Sequence, residues 1–342
     1  VSVDLEQPPA ASSSEEGAAG AADGERRRRL RIPRLWVRDA ADDESRAERP
    51  VTPGSRYLRA VLTAMALLLL GFLLLLVVGS PLQAQRDQRV LFDDLRQQLA
   101  EGIAPVGPTT SEGALVMNGE PVALLSIPAL GEELVVVEGT TSTDLMSGPG
   151  HRRDTVLPGQ AGVSIVMGRQ SAYGGFFGRI PTLQKGDEIR TTTGQGFATY
   201  RVTGVRRAGD PQPQPLAQGQ GRLVLVTATR TPYFPEGTVR VDAELVSTSA
   251  DGATVDRAAF AASPRIVTPA TLPADEKPMA GQTSHAFLLV LWAQLFLLAI
   301  LFITWARVRW GRWQAWIVGV PLVLATGWVV SDGVAALLPN LL

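Results

Sequence analysis

Three uninterrupted apolar runs bracket a long stretch of short alternating ones. The first, Val61 to Gly79, reads VLTAMALLLLGFLLLLVVG without a charge, close to the roughly 20 residues a helix needs to cross hydrocarbon. It has no polar stripe of the kind a buried core helix shows, and it is longer and further from the N-terminus than the apolar core of a signal peptide. A membrane helix is predicted at 59–79. Ala286 to Ala306 and Ala315 to Val330 form two further runs, parted by Arg307, Arg309 and Arg312. They predict a transmembrane hairpin with helices at 286–306 and 315–335 and a loop at 307–314.

Between these spans the period changes. Val90, Leu91, Leu95 and Leu99 recur at helical spacing within Asp87–Ala100, which predicts a short helix in a stalk covering 80–112. From Ala114 onward come Val122–Ile127, Leu134–Glu138, Val163–Met167, Asp187–Thr192, Phe197–Val205, Leu223–Thr227 and Val239–Leu245, all rich in Val, Ile, Leu and Thr. Lys185-Gly186-Asp187 and Gly194-Gln195-Gly196 supply turns between them. Short strands at this spacing predict a closed β-barrel or sandwich, placed at 113–247. Residues 248–284 are rich in Ala, Ser, Thr and Pro without apolar periodicity and predict an extended linker back to the membrane. Residues 1–58 offer almost nothing to bury before Leu30 and predict a disordered, arginine-rich tail.

Charge orients these elements. Arginines gather before the first span, at 26–29, 31, 34, 38, 56 and 59, and again inside the hairpin, so both basic sides are cytoplasmic at once under the positive-inside rule. That places 1–58 and 307–314 inside and 80–284 outside. Trp292, Trp305, Trp310, Trp313, Trp316 and Trp328 cluster in or around the hairpin, where indole rings suit the headgroup layer. The formal net charge is −1, so no global field recruits nucleic acid. The basic block before a membrane helix is read as setting topology and touching anionic lipid. The 342 residues include no cysteine and 2 histidines, which excludes disulfides, thiolate metal sites and cysteine nucleophiles. No cofactor or metal is expected.

The order of segments carries a family likeness. Ser126-Ile127-Pro128-Ala129-Leu130-Gly131 is followed by Gly148-Pro149-Gly150-His151 and Leu157-Pro158-Gly159-Gln160-Ala161-Gly162. Ser164-Ile165-Val166-Met167-Gly168-Arg169-Gln170-Ser171-Ala172-Tyr173-Gly174-Gly175-Phe176-Phe177 comes next, then Leu183 to Ile189 and Leu223-Val224-Leu225-Val226-Thr227-Ala228. Over about 122–246 the chain resembles a sortase, close to the actinobacterial class E type. The resemblance implies an all-β, eight-stranded barrel outside the membrane of a Gram-positive cell, in agreement with the strand pattern. Sortases are membrane-anchored cysteine transpeptidases that cut a sorting signal and join the protein to a cell-wall nucleophile.

That chemistry needs a thiolate to attack, a histidine to manage protons and an arginine to hold developing charge. The resemblance places these three at Arg169 for the histidine, Ala228 for the cysteine, and Gly237 or Thr238 for the arginine. All three are expected to be lost, since an arginine is always protonated and cannot act as a base. Ser164, Ser171, Thr227 and Thr229 are hydroxyl candidates without an accompanying base. His151 matches a histidine of active relatives separate from the catalytic one, and is expected to be a neutral structural residue in a loop. His285 is expected at the membrane boundary. Tyr173, Phe176 and Phe177 read first as barrel packing, and Arg169 either as an anion-binding fork or as a surface or salt-bridged residue. The ligand-binding candidates are Arg169, Tyr173, Thr227 and Arg230.

The leading reading is a catalytically inactive sortase-like membrane protein, a binding or complex-forming module at the cell envelope. Its expected partners are the membrane, other membrane or envelope proteins, and an extended peptide in the former groove, with no nucleic acid. The alternatives are a transpeptidase or hydrolase of altered chemistry and a passive scaffold.

Overall fold

A computed structural model describes residues 53–110, 112–231, 234–249, 255–256 and 258–342. The expectation of disorder in the tail therefore lies, for 1–52, outside the described residues.

The first apolar run is helix α1 (Pro53–Leu74), which passes through a π-helical turn (Leu75–Gly79) directly into α2 (Ser80–Glu101). The sequence gives a reason for the widened turn. Pro81 has no N–H to offer the carbonyl four residues back, and its ring crowds that carbonyl. The helix ends at Gly102, whose left-handed φ of 70° closes the cap. Within the stretch 80–112 expected as a stalk, this helix fills 80–101. No break separates it from the membrane span, and the helix at 87–100 is the far half of one longer element. Periodicity missed 80–86 because that stretch is mostly polar, with Ser80, Gln83, Gln85 and Arg86, and just beyond it the contact with the barrel is polar too. Val135 N–H donates to Gln88 Oε1 at 2.8 Å, and Gln88 Nε2 donates to the carbonyls of Val135 (3.1 Å) and Ser147 (2.9 Å). Ala84 and Leu95 are buried on the same side.

Seven runs expected as strands are strands. They are β1 (Pro121–Ile127), β2 (Glu132–Glu138), β4 (Gly162–Met167), β5 (Glu188–Thr193), β6 (Gly196–Arg206), β7 (Gly221–Thr231) and β8 (Phe234–Ser249). β3 (Gly150–His151) is too short to show a period, and β9 (Val255–Asp256) extends the far edge. Hydrogen bonding runs β6-β5-β1-β2-β3-β4-β7-β8, and pairing of β6 with β8 closes the barrel. β2 with β3 and β4 with β7 are the parallel pairs. Alternation sends Leu125, Ile127, Ala198, Tyr200, Val202, Leu223, Leu225, Val241 and Ala243 into the core. Tyr200 brings a hydroxyl with it, which accepts the Gly159 N–H at 2.5 Å.

The segment expected as an extended linker at 248–284 is fastened to the barrel over its described part. Phe260 exchanges backbone bonds with Gly159 and Ala161, each 2.9 Å. Arg265 donates to the Asp154 carbonyl at 3.0 Å, and Glu276 pairs with Arg153. These attachments are made one residue at a time, so no periodicity announces them. Helix α3 (Asp144–Ser147) is a single turn on the barrel, and after the fastened segment come two long helices, α4 (Ala286–Arg309) and α5 (Arg312–Leu337). With the helix that begins in the first apolar run, they make three helices long and apolar enough to cross a membrane.

Gln88 satisfies three backbone contacts at the junction of α2 and β2. Gln88→Leu is expected to leave those buried groups unpaired and lower stability by about 1–3 kcal/mol, measured by denaturant melts of the full chain in detergent. An unchanged midpoint would show that the helix is not clamped there.

Candidate functional site

β4 and β7 run side by side with Met167 opposite Val226. Just past the end of β4, Gly168 N–H donates to the Val226 carbonyl at 3.0 Å, and Thr227 Oγ1 returns a bond to the Gly168 carbonyl at 3.0 Å. Phe177 packs so closely that a Cβ at position 168 would lie 2.5 Å from its ring. Only glycine fits, and the residue after it is thereby fixed in place.

That residue is Arg169, 2% exposed. Its Nη2 donates to the Ser142 carbonyl at 2.7 Å and the Ser142 hydroxyl at 2.9 Å. Its guanidinium sits 5.1 Å from the centre of the Tyr173 ring, within cation–π range. Burial brings its pKa down to about 10, with Tyr173 and Asp332 acting in the opposite direction, so it stays charged near neutral pH. Arg169 is therefore neither a surface residue nor an open fork for anions. It is an internal strut.

Tyr173 is held harder still. Its φ of 51° lies in the left-handed region that side-chain-bearing residues avoid. Its N–H donates to Ser80 Oγ of α2 at 3.0 Å, and its hydroxyl donates to Asp332 Oδ1 of α5 at 3.1 Å. Burial, ahead of the nearby Asp332 charge, pushes its phenol above the ordinary range. It packs with Leu76, Ala84, Met146, Ala172, Ala335 and Ala336. Its role as a ligand candidate thus gives way to packing, as its aromatic neighbour Phe177, fully buried, also shows.

Alternation along β7 separates the remaining candidates. Val224, Val226 and Ala228 face outward, into a cluster with Leu145, Met167 and Leu341. Thr227 points the other way and is fully buried, which removes it from the outward face; its adjacency in sequence to Ala228 concealed this. Arg230 belongs to β7 by its backbone, and its side chain lies outside the described residues. Across the β7–β8 ladder, Thr238 pairs with Ala228, Arg240 with Val226, and Asp242 with Val224. The outward face thus carries Arg240, a guanidinium that spacing from Ala228 did not single out. Counting by two from Thr238 would have found it. Arg240 lines a cavity of about 270 Å³ with Arg152, Arg206, Arg222 and Asp242. Arg206 pairs with Asp242 and Arg222 with Glu244, whereas no ion pair among the described residues engages Arg240.

His151 corrects the expectation of a neutral loop histidine. It sits on β3, 2% exposed, with Nδ1 at 2.8 Å from Glu138 Oε2 and Nε2 at 2.9 Å from the Val156 carbonyl. Two acceptors on two ring nitrogens call for two donors, which only the imidazolium supplies. Burial pulls its pKa down, but the Glu138 charge and hydrogen bonds together win, leaving it above the ordinary 6.5. His285 stands just before α4, lining a cavity of about 160 Å³ that also includes Asp332.

The barrel with its closed β6–β8 seam and outward β4–β7 face defines a class, and the comparisons name it. The sortase-domain family model matches residues 125–246, and this domain belongs to the sortase family. Sortase D of Bacillus subtilis (strain 168) is 34% identical over 85 residues, covering 25% of this chain and 41% of the relative. Sortase A of Bacillus anthracis is 30% identical over 84 residues, covering 25% and 40%. The chain thus spans about two fifths of the length of these curated relatives. Among solved structures, sortase E from Streptomyces avermitilis is 32% identical with 39% of this chain and 92% of that chain covered, at a TM-score of 0.34. A Clostridium perfringens sortase D5 transpeptidase is 22% identical with 47% and 99% covered, at a TM-score of 0.39.

Two outcomes test the site. His151 carries a raised pKa in the fold, so its stabilising contribution is full below its unfolded value of about 6.5 and is lost as pH climbs through the folded value. The melting-temperature gap between the native chain and His151→Gln should therefore be widest in acid and narrow steadily above that point. A gap that widens with pH would rule out the charged pair. Arg169→Ala should cost about 1.5–3 kcal/mol through lost charged hydrogen bonds, and Arg240→Ala less than about 0.5 kcal/mol as a change at a half-exposed position. Equal costs in thermal melts would contradict the internal strut.

Proposed function

We propose that this chain is a catalytically silent sortase-like membrane protein whose barrel serves as an extracytoplasmic binding or complex-forming module at the cell envelope. The observation that carries this is the outward β7 face. Where the family resemblance places the attacking thiol, Ala228 presents a buried methyl, and the chain contains no cysteine to substitute for it. Where it places the proton-handling imidazole, Arg169 stays protonated and is bound to Ser142. The nearby hydroxyls are occupied as well. Thr227 Oγ1 donates to the Gly168 carbonyl, and Ser142 Oγ lies within hydrogen-bond reach of the carbonyls of Ala335 in α5 and Leu338 just past it.

The proposed topology is multi-pass, with the N-terminus and the 307–314 loop in the cytoplasm. Support comes from where the barrel touches the helices. It meets Ser80 at the start of α2, and Asp332 and Ala335 near the end of α5. Arg59 lies near the opposite end of the first span, and Arg307 and Arg309 close α4 just before α5 begins at Arg312, as the positive-inside rule requires of cytoplasmic ends.

Purified full chain in lipid nanodiscs, incubated with sorting-signal peptides and an amine acceptor, is expected to give no product above a heat-killed control. Turnover would establish an enzyme of altered chemistry instead. In native membranes, photo-crosslinkers on the outward β7–β8 face should trap a defined envelope protein. A chain whose barrel is exchanged for an unrelated domain should lose both that adduct and function; retention of function would identify a passive scaffold.

A further inference from the structure

A cavity of about 160 Å³ lies where α4 and α5 meet the α3 turn, with Thr143, Met146, His285, Leu288, Trp292 and Asp332 among its lining residues. The two long helices touch beside it, so closely that a Cβ at Gly333 would lie 3.0 Å from Leu289 Cδ1. Asp332 is the only acidic residue of α5. Its Oδ1 accepts the Tyr173 hydroxyl at 3.1 Å, which supplies a hydrogen bond but no counter-charge. None of the ion pairs among the described residues includes this carboxylate. The Arg169 guanidinium stands behind the phenol and is bound to Ser142. His285 shares the cavity with Asp332 without pairing with it, and its ring makes no hydrogen bond among the described residues.

We infer that this cavity binds a primary ammonium group, carried by the headgroup of an aminolipid whose acyl chains lie along the exposed apolar face of α4. The inference goes beyond the proposed function and requires only that α4 and α5 enter a membrane, for which both are long and apolar enough. The sign of the ligand follows from Asp332. An ionised carboxylate in an apolar helix is tolerated only with partners, and a cation completes what the phenol leaves undone. A metal ion fits poorly, because no group of three or more His, Asp or Glu among the described residues could hold one. An ammonium fits better. It brings three N–H donors, and a carboxylate and the bare nitrogen of a neutral imidazole are acceptors for them. The indole of Trp292, on the same wall, offers an aromatic ring of the kind that attracts such a cation. The lipid source follows from the rim. Leu288 lines the cavity yet is exposed, and Leu291 and Leu295, one and two turns further along α4, continue that exposed apolar surface. A polar amine in water has no use for this surface, whereas an acyl chain covers it.

The site also reaches the barrel. Asp332 is the group that Tyr173 holds, and Thr143 and Met146 belong to the barrel's α3 region. An ammonium seated on the carboxylate therefore supplies the counter-charge for the contact that joins α5 to the barrel.

The test places the full chain in nanodiscs holding equal parts of phosphatidylethanolamine, phosphatidylcholine and phosphatidylglycerol, and counts by native mass spectrometry the lipid that stays bound on release into detergent. Phosphatidylethanolamine is expected to be retained about tenfold over the other two, the preference that one charge-assisted hydrogen bond gives. Asp332→Asn keeps an oxygen to accept the Tyr173 hydroxyl but removes the charge, and should abolish the preference. His285→Ala removes no hydrogen bond of the fold and should reduce it, which keeps the inference testable if Asp332→Asn melts early. Equal retention of the three lipids, or a preference that survives both variants, overturns the site. Retention of phosphatidylcholine equal to that of phosphatidylethanolamine, with phosphatidylglycerol lost, overturns the primary ammonium, since a quaternary one has no N–H to give. Glycerophosphoethanolamine, the same headgroup without acyl chains, should fail to displace the bound lipid at matched concentration; full displacement overturns the lipid source and assigns the site to a soluble amine.

Discussion

One tyrosine ties the barrel to the long apolar helices. Tyr173 takes a left-handed backbone conformation that costs on the order of 1–3 kcal/mol for a residue with a side chain. The surroundings over-determine it. Its N–H is held by α2, its hydroxyl by α5, and its ring by the Arg169 guanidinium. Relaxing the strain would therefore break contacts to three elements at once. The carboxylate it binds, Asp332, stands near the end of an otherwise apolar helix, where an ionised group is tolerated only with partners. The barrel supplies the phenol directly and the guanidinium behind it.

The arrangement explains what became of the region where family likeness places the chemistry. A proton-handling side chain needs freedom to meet a substrate and a pKa near the working pH. Arg169 has neither, because its position has been given over to mechanical use: it props Ser142 on one side and Tyr173 on the other. The same economy governs the neighbouring strands β2 and β3. His151 and Glu138 form a buried charged pair that pins β3, a strand only two residues long, to its neighbour β2. Neither cluster of charge is arranged around a reacting atom.

How much of this could be read from the chain depends on whether an element repeats. The three apolar helices are long uninterrupted runs and seven of the strands repeat in composition or alternation, and their existence and type were legible. β3 has no period to read, and the contacts of 258–285 with the barrel are single-residue attachments that composition cannot distinguish from a loose linker. The continuity of α1 and α2 was hidden because Gln88 and Ser80, polar residues at helix positions that seemed to face water, are the ones that meet the barrel. For the site, the absence of cysteine, and the alanine at 228, are read directly from the sequence. Which way Thr227 points, and that Arg240 shares the face of Val226, required the register of β7 against β8. The seating of Leu341 beside Ala228 joins residues more than a hundred positions apart and had no local signal at all.

The alanine and its apolar surroundings also make physical sense together. A reactive thiolate persists where the surroundings are electropositive and partly open to solvent, while apolar burial holds a thiol protonated. The pocket around position 228 is built of Leu145, Met167, Val224, Val226 and Leu341, and none of these stabilises an anion. A cysteine there would be a small apolar residue in all but name. Conversely, a methyl at 228 leaves no polar atom for Leu341 to desolvate, so the cleft closes over it without leaving a sulfur unsatisfied. An apolar cleft and an alanine at 228 are thus physically consistent with each other, since neither asks the other to carry or solvate a charge.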